Sequence, residues 1–418
     1  MLKLNMIKPL TGMKDYFGKE AKTLRYLDDL FYQTALKYNC EEIKTPILEN
    51  MDLFIRSLGE SSDVVSKEMF SFAEKNGSTI FTMRPEGTAG ISRALFSNGL
   101  TQNLPIRYYY SGPMFRYETP QKGRYRQFNQ LGVEFLGYNN YLADVECIAL
   151  AYELLTKLKL NQKVQVEINS IGDEESRKNY KSALVFYLNQ YYDKLSPESQ
   201  DRLKTNPLRI LDSKKAQDQD VVKNAPKLKD YLRESSKNWY NSVKKGLTAL
   251  NIPFVENDNL VRGLDYYSET VFEITTNLLG SQNAILAGGR YNNLSSLIGG
   301  MPIPSVGFAA GAERLLLLIS EQIVEKNIEV SIITVNNNDD VIQKGLQLAQ
   351  KLRQQGLIVD IPQNESLNKK MKKANKNQSR YCVIIGEDEI LKDQYSLKNM
   401  GTGDQSQMTE SQLITFLT

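Results

Sequence analysis

The side chains best suited to chemistry lie between Ile106 and Gly137, in two predicted strands joined by a basic loop. Successive side chains of a strand point to opposite faces. Phe128, Gln130 and Glu134 therefore share one face of the second strand, and apolar residues alternate with them on the other face. We expect one face of this strand to pack against the core and the other to bind a ligand.

The first strand and the loop add charge to the same region. Arg116 and Glu118 share a face near the end of the first strand, and the loop carries Lys122, Arg124 and Arg126. An aromatic ring, carboxylates, an amide and arginines on one small sheet suit a ligand that is both zwitterionic and phosphorylated. An ordinary amphipathic hairpin with one solvated face would show the same alternation, so the pattern alone leaves both interpretations open.

Three segments resemble the histidyl-tRNA synthetase family of class II aminoacyl-tRNA synthetases. FRYE, the basic loop and RQFNQLGVEFLG together resemble motif 2 of that family. LVRGLDYYSETVFEI at residues 260–274 resembles the histidine-specific signature, and VGFAAGAERLLLLI at residues 306–319 resembles motif 3. The similarity extends from Leu10 to the C-terminus. Three long matches in the family's order are much more specific than a single short motif.

The resemblance implies an α+β fold, with the antiparallel sheet of a class II synthetase flanked by helices. Residues 1–169 and 256–322 are expected to form the catalytic core, and residues 170–255, which are polar and helix-like, a helical insertion domain. Residues 328–418 are expected to form an anticodon-binding α/β domain. Strands and helices alternate in that last segment, which is typical of a small, mostly parallel α/β domain.

The implied activity is the ATP-dependent ligation of L-histidine to tRNA(His). The histidine carboxylate would attack the α-phosphorus of ATP, giving histidyl-adenylate and pyrophosphate, and the terminal ribose of the tRNA would then take the histidyl group and release AMP. That carboxylate is ionised at neutral pH, so the first step needs no protein base. The family also implies Mg²⁺ and a homodimer built on motif 1, around Pro46.

Motif positions also give the expected site residues. The catalytic cations are expected to be Arg116, Arg262 and Arg314, because fixed guanidinium groups stabilise charge on phosphate oxygens. The expected ATP contacts are Arg116, Glu118, Arg124, Phe128 and Arg314. The expected histidine contacts are Glu86, Gly87, Thr88, Arg116, Gln130, Glu134, Arg262, Tyr266, Tyr267 and Tyr291. Lys122, Arg124 and Arg126 are expected to hold the tRNA acceptor stem, and no protein side chain is assigned to a metal.

Each assignment has a plainer alternative. Glu86 and Thr88 have the residue types of helix caps, and they follow a proline turn. Arg314 would be equally at home on a surface helix, and Arg262 could form an ion pair with Asp265. The chain has 23 tyrosines, so any one of them is more often a core residue than a ligand contact.

Composition excludes several classes of protein. Hydrophobic residues make up 41% and charged residues 24%, and no apolar run approaches the ~20 residues that span a bilayer. We predict no secretory signal at the start of the sequence. Cys40, Cys147 and Cys382 are scattered without CxxC spacing, which favours reduced thiols in a cytoplasmic protein over a zinc site. The net charge of +3 is too small to identify a nucleic-acid partner.

The sequence contains no histidine. This excludes Ser-His and Cys-His mechanisms and removes the commonest metal ligand. Members of the family commonly carry histidine in motif 2 at the positions of Tyr117 and Asn129. One hypothesis is that an enzyme for histidine, built without histidine, can be translated when its own product is scarce. Compositional drift and deliberate engineering are the alternatives.

Periodicity predicts the secondary structure around these motifs. Near the start it predicts a helix at 22–38, then a strand at 40–48 that contains Pro46, a strand at 79–83 and a helix at 89–96. After Ile319 it predicts strands at 331–335, 357–361 and 381–385, and helices at 341–353 and 366–376. The last of these helices carries Lys369, Lys370, Lys372, Lys373 and Lys376. A run of lysines is usually a solvated face.

Two other functions fit parts of the pattern. A regulatory paralogue, such as the regulatory subunit of ATP phosphoribosyltransferase, would bind histidine on the same fold without ligating it. Arg116, Arg262 and Arg314 and a C-terminal domain of the right size argue against that reading. A class II synthetase for another amino acid is opposed by the segment RGLDYY.

Overall fold

A computed structural model describes residues 6–60, 62–75, 77, 79–211, 213–261, 266–280, 283–319, 328–336, 338–363 and 366–418. The chain divides into two compact units, Met1–Ile323 and Val324–Thr418. No helix within the described ranges is long and apolar enough to cross a membrane.

The first unit combines a long mixed sheet with helices on its faces. Its helices are α1 (Gly18–Lys37), α2 (Met51–Leu58), α3 (Thr88–Ser97), α4 (Tyr141–Lys157), α5 (Glu174–Gln190), α6 (Pro197–Thr205), α7 (Ala216–Val222), α8 (Glu234–Ala249), α9 (Leu294–Leu297) and α10 (Ala312–Ile319). Its strands are β1 (Glu41–Glu42), β2 (Leu48–Asn50), β3 (Ser71–Ala73), β4 (Ile80–Met83), β5 (Ile106–Phe115), β6 (Gln127–Leu136), β7 (Gln165–Ser170), β8 (Phe254–Glu256), β9 (Ser268–Thr275), β10 (Ala284–Arg290) and β11 (Ser305–Gly311).

The large sheet has the strand order β1-β5-β6-β11-β10-β9-β7-β8. Its central pairings are antiparallel, and only the outer pairs β1–β5 and β7–β8 are parallel among the described strands. A smaller antiparallel sheet has the order β2-β4-β3. The α+β class with a mostly antiparallel core is therefore confirmed.

Strand β6 shows the alternation that the sequence predicts. Leu131, Val133 and Phe135 are fully buried in a core that also contains Leu27 and Phe31 of helix α1. Helix α1 begins a turn earlier than predicted, but it buries the apolar face that the periodicity indicates. This core fixes one face of β6, which leaves the opposite face free to line a site.

The predicted strand at 40–48 is wrong over residues 43–47. Only Glu41–Glu42 and Leu48–Asn50 form strands, and these belong to different sheets. Pro46 has no N–H donor for a ladder. The guanidinium of Arg84 takes over part of the pairing, since its Nη1 donates to the Thr45 carbonyl at 2.8 Å. The segment therefore crosses between sheets instead of extending one.

Helices α5 to α8 lie between strands β7 and β8, where the sequence predicts a helical insertion. Their apolar side chains, among them Leu184, Leu188 and Leu203, are buried in a cluster that continues into the core. Arg177 of α5 donates to the backbone carbonyl of Tyr267 at 2.5 Å, so this helix directly contacts a segment that is predicted to belong to the catalytic core. The four-segment division of the chain stays a prediction.

The second unit is a smaller sheet with helices packed on it. Its helices are α11 (Asp339–Gln354), α12 (Leu367–Lys376), α13 (Glu387–Lys392) and α14 (Glu410–Leu417). Its strands are β12 (Val330–Thr334), β13 (Val359–Asp360), β14 (Tyr381–Ile385), β15 (Tyr395–Asn399) and β16 (Gln405–Met408), in the order β13-β12-β14-β15-β16.

The α/β character of this unit is confirmed, but its sheet is not mostly parallel. Strand β12 pairs in parallel with β13 and β14, whereas β14, β15 and β16 pair antiparallel.

The lysine run on α12 also differs from a uniformly solvated face. Lys370 is buried, and its Nζ donates to the Thr334 carbonyl at 2.9 Å and to its hydroxyl at 2.7 Å. Lys370 therefore ties α12 to the end of β12.

Candidate active site

A cavity of about 240 Å³ lies over the face of the large sheet opposite the α1 core. Strands β6, β10 and β11 supply much of its lining, and the loop after β5 covers one end. It brings together most of the site residues that the sequence predicts, namely Glu86, Thr88, Arg116, Glu118, Arg124, Phe128, Gln130, Glu134, Tyr266, Tyr267, Tyr291 and Arg314.

The remaining predicted residues are placed differently. Gly87 is absent from the lining, and Lys122 is exposed on the loop. Arg126 packs on Tyr117, with 3.7 Å between its guanidinium carbon and the ring centroid, and donates to the Glu118 carbonyl at 3.2 Å. Arg262 lies outside the described residues.

Glu86 sits at the beginning of helix α3, where backbone N–H groups have no partner within the helix. Its carboxylate accepts from the backbone nitrogens of Thr88 at 2.8 Å and Ala89 at 2.7 Å. Burial raises the pKa of Glu86, and these hydrogen bonds act in the opposite direction. Glu86 therefore does cap the helix, as the plainer alternative holds, and the same carboxylate lines the cavity.

Glu134 is the most enclosed carboxylate of the cavity, with 1% exposure. It accepts hydrogen bonds from the Thr88 hydroxyl at 2.6 Å and from the Tyr291 hydroxyl. The pKa of Glu134 is raised to about 8, mainly by burial and also by the negative charge of Glu86, against the lowering effect of these two donors. Such a carboxyl can accept or donate a hydrogen bond near neutral pH.

Tyrosines surround this end of the cavity. The rings of Tyr266 and Tyr267 are 4.6 Å apart between centroids, and Tyr291 meets Tyr266 edge to face at 5.7 Å. All three are buried. The alternative that they are core aromatics is correct for their packing, but each also lines the cavity. This end therefore offers phenols and carboxylates to a small polar ring with donor and acceptor atoms.

The other end of the cavity is cationic. Arg116 donates from Nε to the Pro85 carbonyl at 2.9 Å, and its guanidinium carbon lies 5.5 Å from the centroid of the Phe128 ring. Arg314 donates to the backbone carbonyl of Ala284. Burial lowers the pKa of Arg314, and the positive charges of Arg124 and Arg116 lower it further, while Glu273 opposes them. These arginines therefore converge, as a polyanion site requires.

Glu118 is already engaged at this end. It is 8% exposed, forms an ion pair with Arg124, and has an oxygen 3.8 Å from Nη1 of Arg116. Among the described residues, no group of three or more acidic or cysteine side chains is arranged to hold a metal ion.

Sequence reasoning missed several side chains in and beneath the cavity. Tyr125, Glu273 and Glu313 line it. Tyr110 lies under it, within the electrostatic reach of Glu134 and Glu86. The residue before Arg314 is Glu313, which could have been singled out as a second charge on a helix with four leucines. The sequence places Tyr110 in a strand but does not indicate that it lies beneath the cavity, because that position depends on which residue of the neighbouring strand lies opposite it.

Comparisons with known proteins agree with this geometry. A family profile described as histidyl-tRNA synthetase matches residues 12–172 and 192–315, and one described as an anticodon binding domain matches residues 329–418. The histidine–tRNA ligase of Rhodospirillum rubrum is 44% identical over 411 residues, which cover 98% of each chain.

Solved structures give the same result. The apo histidyl-tRNA synthetase of Staphylococcus aureus is 34% identical, with a TM-score of 0.82 over 99% of this chain and 100% of that one. An ATP phosphoribosyltransferase regulatory subunit/histidyl-tRNA synthetase of Bacillus halodurans matches with a TM-score of 0.67 over 92% of this chain and 99% of that one. At 22% identity it shows the fold alone. With two profiles covering most of its length and relatives above 40% identity, this chain belongs to the histidyl-tRNA synthetase family.

Proposed function

We infer that the protein is a histidine–tRNA ligase, which uses ATP to join L-histidine to tRNA(His). The single observation that carries this conclusion is one cavity with two chemically different ends, on a chain of this family. One end presents buried carboxylates and phenols, and the other presents converging guanidinium groups. Such a site holds an amino acid with a polar ring beside a triphosphate.

For adenylate formation, we assign the phosphate contacts to Arg116 and Arg314. Both are held by backbone carbonyls, so their guanidinium groups are oriented before ATP arrives. Preorganised cations of this kind stabilise the charge that develops on phosphate oxygens as the carboxylate attacks. Arg262 is proposed to act with them on sequence grounds alone. We assign the stacking on adenine to Phe128 and the hydrogen bond to the exocyclic amine of adenine to Glu118. That hydrogen bond would loosen the ion pair between Glu118 and Arg124.

For histidine, we assign the ammonium group to Glu86, Thr88 and Gln130. Oε1 of Gln130 is buried and accepts no hydrogen bond from the described protein atoms, so it can serve as an acceptor for the ammonium group. The imidazole would lie against Glu134 and Tyr267, with Tyr266 and Tyr291 as walls. A site built from polar groups rejects apolar amino acids by about 10⁴–10⁵, because those groups would be left unpaired.

For Mg²⁺, the cavity has one suitably placed carboxylate. Glu273 lines the cavity, and its negative charge opposes the lowering of the Arg314 pKa. Mg²⁺ usually binds through one or two carboxylates together with substrate phosphates and water, so a dedicated protein cage is not required. We propose that Glu273 is the protein ligand. When bound, the ion would neutralise phosphate charge.

For tRNA, we assign acceptor-stem phosphates to Lys122, Arg124 and Arg126. Lys122 is exposed, whereas Arg124 is half-buried beside Glu118 and Arg126 is stacked on Tyr117. Lys122 is therefore the contact that needs no rearrangement. The helical insertion is proposed to close over the acceptor end, and the C-terminal unit to bind the anticodon.

We also propose a homodimer that uses the small β2-β4-β3 sheet. Leu48 and Phe72 lie on either side of β4, on the same face of this sheet, and each is at least 50% exposed. Neighbouring exposed apolar side chains on a sheet are typical of protein–protein contacts. We place the protein in the cytoplasm, where translation occurs, and the three buried, unpaired cysteines suit that compartment.

The test is ATP–pyrophosphate exchange with purified protein. Exchange that depends on histidine is the expected result. Exchange with a different amino acid would indicate a synthetase of another specificity, and no exchange with any amino acid would indicate a regulatory paralogue. Transfer of labelled histidine to tRNA(His), but not to another tRNA, tests the second step.

A further inference from the structure

A single buried carboxylate closes the end of the β6–β11 ladder. Strands β6 and β11 pair in register up to Gln130 opposite Gly311. Strand β11 ends there, and helix α10 begins at the next residue. The backbone N–H of Asn129 therefore has no ladder partner. This N–H donates instead to the carboxylate of Glu313, with distances of 2.9 Å and 3.0 Å to the two carboxylate oxygens. The carboxylate also accepts a hydrogen bond from Nδ2 of Asn129 at 2.9 Å.

The same carboxylate is reached from the segment that precedes helix α1. The hydroxyl of Tyr16 donates to Oε1 of Glu313 at 3.1 Å, although the two residues are 297 positions apart. Glu313 is only 2% exposed, and a buried charge is costly unless hydrogen bonds satisfy it. Tyr16 is therefore one of the donors that keep Glu313 in this position.

The segment makes a second contact with the start of strand β6. Leu10 accepts from the backbone nitrogen of Met13 at 2.9 Å, which forms a turn with Gly12 at φ +80°. A positive φ at the third residue of such a turn favours glycine. The turn directs the Gly12 carbonyl toward Arg126, whose backbone nitrogen donates to it at 2.7 Å. The space is tight, because a Cβ at residue 12 would lie 2.7 Å from Cγ of Arg126.

We propose that residues 10–17 act as a clamp that aligns the ATP-binding side chains, and that Tyr16 is a positioning residue that works through Glu313. Phe128 is the residue before Asn129, and Arg314 is the residue after Glu313. One carboxylate therefore sets both the adenine-stacking ring and the phosphate-binding guanidinium relative to each other. Glu86 and Glu134, at the histidine end of the cavity, form no described hydrogen bond with the clamp. The inference rests on the ATP roles proposed above for Phe128 and Arg314.

The first test is Tyr16→Phe, which removes the hydroxyl and keeps the ring. Loss of one hydrogen bond should raise the KM for ATP in the exchange reaction about five- to tenfold. The KM for histidine should change less than twofold, which separates positioning from a general loss of structure. Lys8→Gln is the matched control, because Lys8 is an exposed residue just before the clamp, and it should leave both constants unchanged.

The second test is a double-mutant cycle with Glu313→Gln. If Tyr16 acts through Glu313, Tyr16→Phe adds little to the KM for ATP in the Glu313→Gln background, because interacting sites are not additive. Additive effects, an unchanged KM for ATP in Tyr16→Phe, or equal rises in both KM values would each overturn the clamp. If Tyr16→Phe does not fold, Asn129→Ala removes another donor to Glu313 and should give the same selective rise. Failure of the wild type to exchange would instead reject the proposed function.

Discussion

The ring of Tyr110 fills the space in which Gly132 would otherwise carry a side chain. The two residues are directly opposite in the β5–β6 ladder, and a Cβ atom at residue 132 would lie 2.3 Å from Cζ of Tyr110. On its other side, a Cβ at Gly87 would lie 2.4 Å from the same ring. Gly87 therefore contributes to the end of the cavity that is proposed to hold histidine, by making room for Tyr110 beneath it.

Gly132→Ala is expected to displace this ring. Overpacking at a buried position costs about 1–3 kcal/mol, so the free energy of unfolding should fall by that amount. The KM for histidine should rise as well, because Tyr110 lies beneath Glu86 and Glu134. Urea denaturation and histidine-dependent exchange measure the two effects. Tyr110→Phe keeps the ring and is the control for packing. An alanine variant with wild-type stability would contradict the close approach.

Glu134→Gln is expected to change how stability depends on pH. Burial raises the pKa of Glu134 from 4.5 to about 8 in the folded protein. Between these values the folded state binds more protons than the unfolded state, so the wild-type free energy of unfolding should fall as pH rises from about 4.5 through about 8. Glutamine does not titrate, so the variant should lose less stability over this window. Parallel curves for the two proteins would rule out the elevated pKa.

Arg314→Ala should slow adenylate formation. Removal of one preorganised donor typically lowers the rate about 10²–10³-fold. The measurement is the maximal rate of histidine-dependent exchange at saturating ATP, with circular dichroism to verify folding. Arg25→Ala is the control, since Arg25 forms an exposed ion pair with Asp29 on helix α1. A loss below tenfold in a folded Arg314→Ala protein would argue against its assignment to phosphate.

Glu273→Gln should raise the Mg²⁺ concentration that gives half-maximal exchange. The substitution removes a carboxylate charge at the cationic end of the cavity while keeping the size of the side chain. The control is Glu256→Gln, which breaks an exposed ion pair with Lys244 away from the cavity. Identical Mg²⁺ dependence in the Glu273 variant and the wild type would exclude Glu273 as the ligand.

Phe72→Glu should convert the proposed dimer to monomers. Phe72 is 50% exposed in this chain, so a charge there is tolerated by the isolated subunit but not within an apolar contact. Sedimentation equilibrium gives the mass directly. Leu391→Glu is the control, because Leu391 is 83% exposed on helix α13 in the other unit. A wild-type protein that sediments as a monomer would remove the basis of the proposal.

The binding face of the site was predictable because a strand has a fixed period. Phe128, Gln130 and Glu134 line the cavity as the alternation requires, and the apolar residues between them are buried. The same reasoning failed between residues 43 and 47, where Pro46 interrupts the ladder and the side chain of Arg84 supplies a hydrogen bond. Short polar strands such as β16 give no periodic signal and were also missed.

Long-range contacts were beyond prediction from sequence. The Tyr16–Glu313 hydrogen bond joins distant parts of the chain, and neither residue type is unusual in its local context. Arg290 is another example: it is fully buried, donates to Asp144 at 2.7 Å, and lies 4.7 Å from the centroid of the Trp239 ring. Nothing in the spacing of these residues indicates that an ion pair crosses the core.

The enclosure of Glu134 has a spectroscopic consequence, because the chain itself contributes no imidazole. In a complex with histidine, the C2 proton of the substrate ring would give the sole imidazole C2–H resonance, without any contribution from histidine in the protein. Its chemical shift and its titration would report which ring nitrogen carries the proton beside the Glu134 carboxyl. An unlabelled enzyme would therefore suffice to read the tautomer of its own ligand by NMR.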